Sequence, residues 1–121
     1  MKFREKILVT GTKFLLGKDE ESNDELMKKF RGKNNIIVHT QAPGSPFCVI
    51  ENLVFKGDIY AAGVLCAAYS QDWRDNKKDV IINVFTGKDI KKEKGMARGT
   101  WNVKKSKSIK VKKEDILNLT K

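Results

Sequence analysis

Residues 59–69 form the longest near-apolar run in the sequence. With Asp58 in front of it as a cap, the run predicts a helix from Ile59 to about Asp72. At helical spacing, Ile59, Ala62, Val64, Leu65, Cys66, Ala67, Ala68 and Tyr69 leave almost no polar side. A helix that is apolar all round is stable only when it is covered all round. At 11 residues the run falls well short of the ~20 needed to span a bilayer. It predicts a central core helix packed against a sheet.

The other segments supply that sheet. Residues 6–10 and 12–16 read as two short strands around Gly11, and 35–40 and 47–50 as a pair around a Pro-Gly-Ser-Pro turn. Residues 80–85 form a strong strand. A second helix is predicted over 22–30, with Ser22 as cap, Glu25 as its capping-box partner and Leu26, Met27 and Phe30 as its apolar stripe. Near the end, Trp101 and Val103 alternate with Asn102 and Lys104. Beyond Ser106, Ile109 and Val111 alternate with Lys110 and Lys112. This pattern predicts a basic C-terminal β-hairpin with one apolar and one lysine face. Ile116, Leu117 and Leu119 are expected to close over the core. The element order predicts one α+β domain over residues 1–121, a mixed, mostly antiparallel sheet on about two helices.

Charge narrows the function. The net charge is +10, yet residues 88–113 alone hold 11 Lys and Arg against two acidic residues, a net of +9. Residues 1–87 are nearly neutral, with 13 basic against 11 acidic side chains. One segment therefore supplies the electrostatic footprint, which points to a polyanionic partner. Charge alone does not separate RNA from DNA. A lipid surface is disfavoured because no basic amphipathic helix is present. The stretch 7–9 is too short for a signal-peptide core, so a soluble cytoplasmic protein is expected. The sequence leaves the oligomeric state open.

The phosphate-binding candidates follow from the basic segment: Lys88, Lys91, Lys92, Lys94, Arg98, Lys104, Lys105, Lys107, Lys110 and Lys112. Gly95 and Gly99 let the backbone of this loop approach a ligand closely. Trp101 reads first as a core residue beside Val103 and second as a stacking face. Lys18 sits in Gly17-Lys18-Asp19, between a strand and a helix, where backbone amides meet anions. That segment lacks the further glycines of a dinucleotide fingerprint. Arg74 can reach a phosphate or pair with Asp72 or Asp75.

His39 is the only histidine. A catalytic role would need Ser45 or Cys48 beside it as nucleophile, and a structural role is the favoured reading. Cys48 and Cys66 lie in apolar surroundings and read as buried, reduced thiols. With one histidine they give no zinc spacing, and no Walker-type loop, HExxH or CxxC occurs. No metal or cofactor is expected.

Several short motifs in one order resemble the NFACT-R family. They are Gly17-Lys18-Asp19 with Asn23-Asp24 and Leu26, the strand ending in His39 followed by Pro43-Gly44-Ser45, the alanine-rich helix into Tyr69-Ser70, and Val84-Phe85-Thr86 leading to Lys91-Lys92 and Lys94-Gly95. The resemblance covers roughly residues 8–112 and suggests a stand-alone member. It implies an α+β fold and RNA binding. Large members act in ribosome-associated quality control on the large subunit and tRNA, and RNA modification has been suggested for stand-alone forms. Where the family usually has Asp, Trp, a second histidine and Pro, this sequence has Asn35, Ile37, Pro46 and Arg98. Those changes weaken any paired-histidine chemistry and add charge to the basic loop. The expected function is thus recognition of structured RNA, tRNA or rRNA, with His39, Ser45 and Arg74 lining a cleft near the basic loop. The alternatives are an RNA-modifying enzyme built on His39 and a module that docks an acidic protein.

Overall fold

Successive side chains on a strand face opposite ways, and in this chain apolar residues occupy both sides of most strands. Such a sheet must be covered twice. The computed structural model, which describes residues 3–120, covers it twice. The chain runs β1 (Arg4–Ile7), β2 (Lys13–Leu16), α1 (Glu20–Phe30), β3 (Ile36–Thr40), β4 (Cys48–Ile50), α2 (Gly57–Ala68), α3 (Gln71–Asn76), β5 (Val80–Thr86), β6 (Ile90–Lys91), β7 (Asn102–Val103), β8 (Lys107–Val111) and α4 (Lys113–Thr120). Six strands form one sheet in the order β1-β2-β4-β3-β5-β8. Every pairing in it is antiparallel. The α+β expectation holds.

One sheet face packs Phe14, Leu16, Val38, Cys48, Ile50, Val80, Ile82 and Val111 against α2, with Trp73 of α3 and Ile116 of α4. The all-round apolar helix is therefore enclosed by the sheet and two further helices. The other face packs Leu15, Ile37, Val49 and Phe85 against Leu26, Met27 and Phe30 of α1, and Phe47, Ile90 and Trp101 complete that layer.

Several local readings are corrected. The helix expected over 59–72 is two helices. Ser70 Oγ accepts from Trp73 N at 3.1 Å and donates to the Ala67 carbonyl at 2.7 Å, closing α2 and capping α3. Asp58 is not a cap, since it lies inside α2. Its Oδ2 accepts from Val54 N and Phe55 N, both at 3.0 Å, and from Thr12 Oγ1 at 2.6 Å, tying down the preceding loop. The cap of α1 is Asp19, with Ser22 as its partner three residues on, so the helix starts two residues earlier than expected.

The C-terminal hairpin does not form. β7 pairs with β6, and β8 pairs with β5 at the sheet edge. The two segments serve different cores: Trp101 belongs to the α1 layer and Val111 to the α2 layer. A single hairpin would have put both on one face. At the end of the chain Ile116 is buried, whereas Leu117 and Leu119 stay 43% and 41% exposed because α4 turns only one side inward. Among the described residues no helix is long and apolar enough to cross a membrane.

Candidate nucleic-acid interface

At one end of the sheet the β3–β4 turn, the start of α1 and the basic loop 92–101 come together. They enclose two adjoining depressions that share Glu20, Asn23, Gly44 and Ser45. The first, about 260 Å³, is lined by Arg4, Lys18 and Arg74, with the carboxylates of Asp19 and Glu20 beside them. The second, about 370 Å³, is lined by His39, Phe47, Asn83, Phe85, Trp101 and Arg98.

The basic loop is held there by one carboxylate. Asp24 Oδ1, on α1, accepts from Gly99 N at 2.9 Å, from Trp101 Nε1 at 2.9 Å and from Lys92 Nζ at 3.2 Å. Burial alone would raise the Asp24 carboxyl, but these three donors outweigh it and hold the group below its ordinary value. Lys92 Nζ also donates to the Ala97 and Thr100 carbonyls at 2.7 and 2.8 Å, cross-linking the loop to itself. Gly99 completes the attachment. Its φ is +80°, and an added Cβ would lie 3.1 Å from Glu20 Cα, so the loop rests directly on the α1 backbone.

The structure sorts the expected site residues. Lys18, Arg74, Ser45, His39 and Arg98 all line the two depressions. Lys92 faces inward, and its three bonds make it a staple of the loop. Lys88, Lys91, Lys94, Lys104, Lys105, Lys107, Lys110 and Lys112 are exposed. They do not share one face. Lys110 sits opposite Ile81, on the His39 side of the sheet, while Lys107 sits opposite Val84, on the α2 side. The amides after Gly17 do not await an anion, because Lys18 N and Asp19 N both donate to Ser22 Oγ, at 2.6 and 2.9 Å. Trp101 is only 7% exposed, so core packing is its main role.

His39 projects from the α1 face, its ring 4.6 Å from that of Phe47. Nδ1 lies 2.8 Å from the Thr40 carbonyl. Burial lowers the His39 pKa more than its backbone contacts to Thr40 and Ser45 raise it, so the ring is neutral at pH 7. Ser45 Oγ accepts from Thr40 N at 3.1 Å and lies 3.8 Å from Cys66 Sγ. Cys48 packs on the opposite side of the sheet from His39, so these two do not meet. Burial pushes Cys66 up to about 12 and Cys48 well above its ordinary value, leaving both thiols protonated. The geometry thus favours positioning over nucleophilic chemistry. Among the described residues no group of three or more His, Cys, Asp or Glu is placed to hold a metal.

Sequence reasoning missed Arg4, Asn83 and the role of Asp24. Asn83 carried a signal, as the lone polar residue within the apolar run of 80–85. Asp24 carried none beyond its place in a motif, for its partners lie 68 to 77 residues away.

Comparison with known proteins bears on the fold and the family. The solved C-terminal part of the fibronectin/fibrinogen-binding protein from Streptococcus suis superposes with a TM-score of 0.83 at 22% sequence identity, which establishes a shared fold. The match covers 98% of this chain and 49% of that one, so this chain spans about half the length of its structural neighbour. A comparison with curated proteins finds no matching sequence. The family model described as the NFACT protein RNA-binding domain matches residues 2–105, and the chain belongs to that family.

Proposed function

We propose that this chain binds structured RNA, with transfer or ribosomal RNA as the favoured class, in a cytoplasmic and ribosome-associated setting. The observation that carries the reading is the Asp24 node. It holds the 92–101 loop, which carries Lys94 and Arg98, as a folded lobe beside a cleft lined by Arg4, Lys18 and Arg74. A solvated basic loop would need no such anchor. A phosphate-binding rim does, since cations held in place lose less freedom when they meet a ligand.

Binding of nuclease-treated protein to folded tRNA, an unstructured RNA and duplex DNA across a salt series tests it. With about six phosphate contacts the log–log slope is about −4 to −5, and folded tRNA is preferred. Equal, steeply salt-sensitive binding to all three would reduce the surface to a generic polyanion site. Failure to bind any of them would refute the reading.

A further inference from the structure

The second depression is built differently from the cationic rim around it. His39, Asn83 and Ser108 stand opposite one another on three neighbouring strands, forming one polar row across the α1 side of the sheet. Ser108 Oγ donates to Asn83 Oδ1 at 3.2 Å, which orients the amide. Among the described residues nothing accepts from Asn83 Nδ2. With Nδ1 assigned as the donor to the Thr40 carbonyl, Nε2 of the neutral imidazole is an acceptor. Beside this row, the edge-to-face rings of Phe47 and Phe85 and the half-exposed Val103 supply apolar wall. A phosphate gains nothing from apolar walls and a neutral imidazole. A flat heterocycle with donors and acceptors on its rim uses both.

We infer that the second depression receives the base of one unpaired RNA nucleotide, with Asn83 and His39 addressing its polar edge and the adjoining first depression taking its phosphate. This inference rests on the RNA-binding reading and adds a defined occupant to it. The volume of about 370 Å³ lies at the small end of the ~300–1,000 Å³ range of small-molecule sites. The two depressions adjoin and share Glu20, Asn23, Gly44 and Ser45, so the base and phosphate of a single nucleotide are placed one in each. Glu20, common to the two, disfavours a phosphate at the junction and suits a sugar hydroxyl there. The base must be unpaired, because a paired one stays stacked and its edge is engaged. Arg98 at the mouth adds a cation beside the entering strand.

The test uses an RNA duplex with one bulged nucleotide, each of the four bases in turn, the same duplex with an abasic bulge, and the duplex without a bulge. Wild-type protein is expected to bind at least one bulged base about tenfold more tightly than the abasic form. Asn83→Ala brings that ratio close to one. Val103→Arg serves as the second variant, at a β7 position that is 36% exposed. It plugs the depression while adding a positive charge, so affinity for the abasic duplex is kept while the gain from a bulged base, and with it the base-to-abasic ratio, is lost. Equal wild-type affinity for bulged and abasic duplexes would overturn this inference and leave RNA binding intact. Binding of none of these RNAs would overturn both.

Discussion

A carboxylate that accepts three hydrogen bonds holds whatever donates them, and the donors to Asp24 are an indole, a backbone amide and an ammonium drawn from one loop. Removing its charge weakens all three bonds at once, since a charged acceptor binds each donor more strongly than a neutral one. Asp24→Asn is expected to cost about 2 kcal/mol in urea unfolding at pH 7. The folded-state pKa of Asp24 lies below its unfolded value, so its contribution is complete above pH ~4 and fades as the pH falls through the folded value. The stability gap between wild type and the Asn variant should close only in that acid range. A gap that closed near pH 6 would point to another group. The neighbouring lysines separate the same way. Lys92→Ala should cost about 1–2 kcal/mol because it releases two carbonyls and the carboxylate, whereas Lys91→Ala should change stability by less than about 0.5 kcal/mol. Equal effects would mean that Lys92 is not a staple.

Ser70 decides where one helix ends and the next begins, since its hydroxyl serves both: it accepts from Trp73 N and donates to the Ala67 carbonyl. Ser70→Ala should cost about 1–2 kcal/mol in thermal or urea unfolding, and full retention of stability would show that packing of Trp73 alone sets the break. The same site explains what was legible in the sequence. Residues 59–69 announce a buried helix because apolarity on all sides has one stable outcome. The boundaries were not legible, because Asp19, Ser22, Asp58 and Ser70 are all competent caps and only backbone geometry chooses among them. Alternation likewise marked strands over 101–104 and 109–112 but gave them the wrong partners, each other. Pairing is a long-range choice, made here by which core each side chain joins. Of the candidate site, the cations and His39 were legible as types. Asp24 and Asn83 were not, for their roles arise from neighbours supplied by other elements.

At the scale of the molecule, a charge count overstates the interface. The chain carries +10, yet Lys92 is turned inward and Lys107 lies on the far side of the sheet from the cleft. β8 offers an internal control. Lys107 and Lys110 lie on the same edge strand, three residues apart, on opposite sides of the sheet. If the polyanion lies on the cleft side, Lys110→Gln should make the log–log salt slope less steep by about 0.7–0.9, the share of one phosphate contact. Lys107→Gln should leave the slope unchanged while removing the same unit of charge. Both variants are exposed and should fold as wild type. Equal effects would mean that the nucleic acid wraps the sheet edge, and the cleft would then be one part of a larger track. Neutralising Lys91, Lys94 and Arg98 together should lower the slope by about 2–3 if all three meet phosphate. With Lys92 kept in place, any loss of binding in that variant is electrostatic, because the loop stays pinned to Asp24.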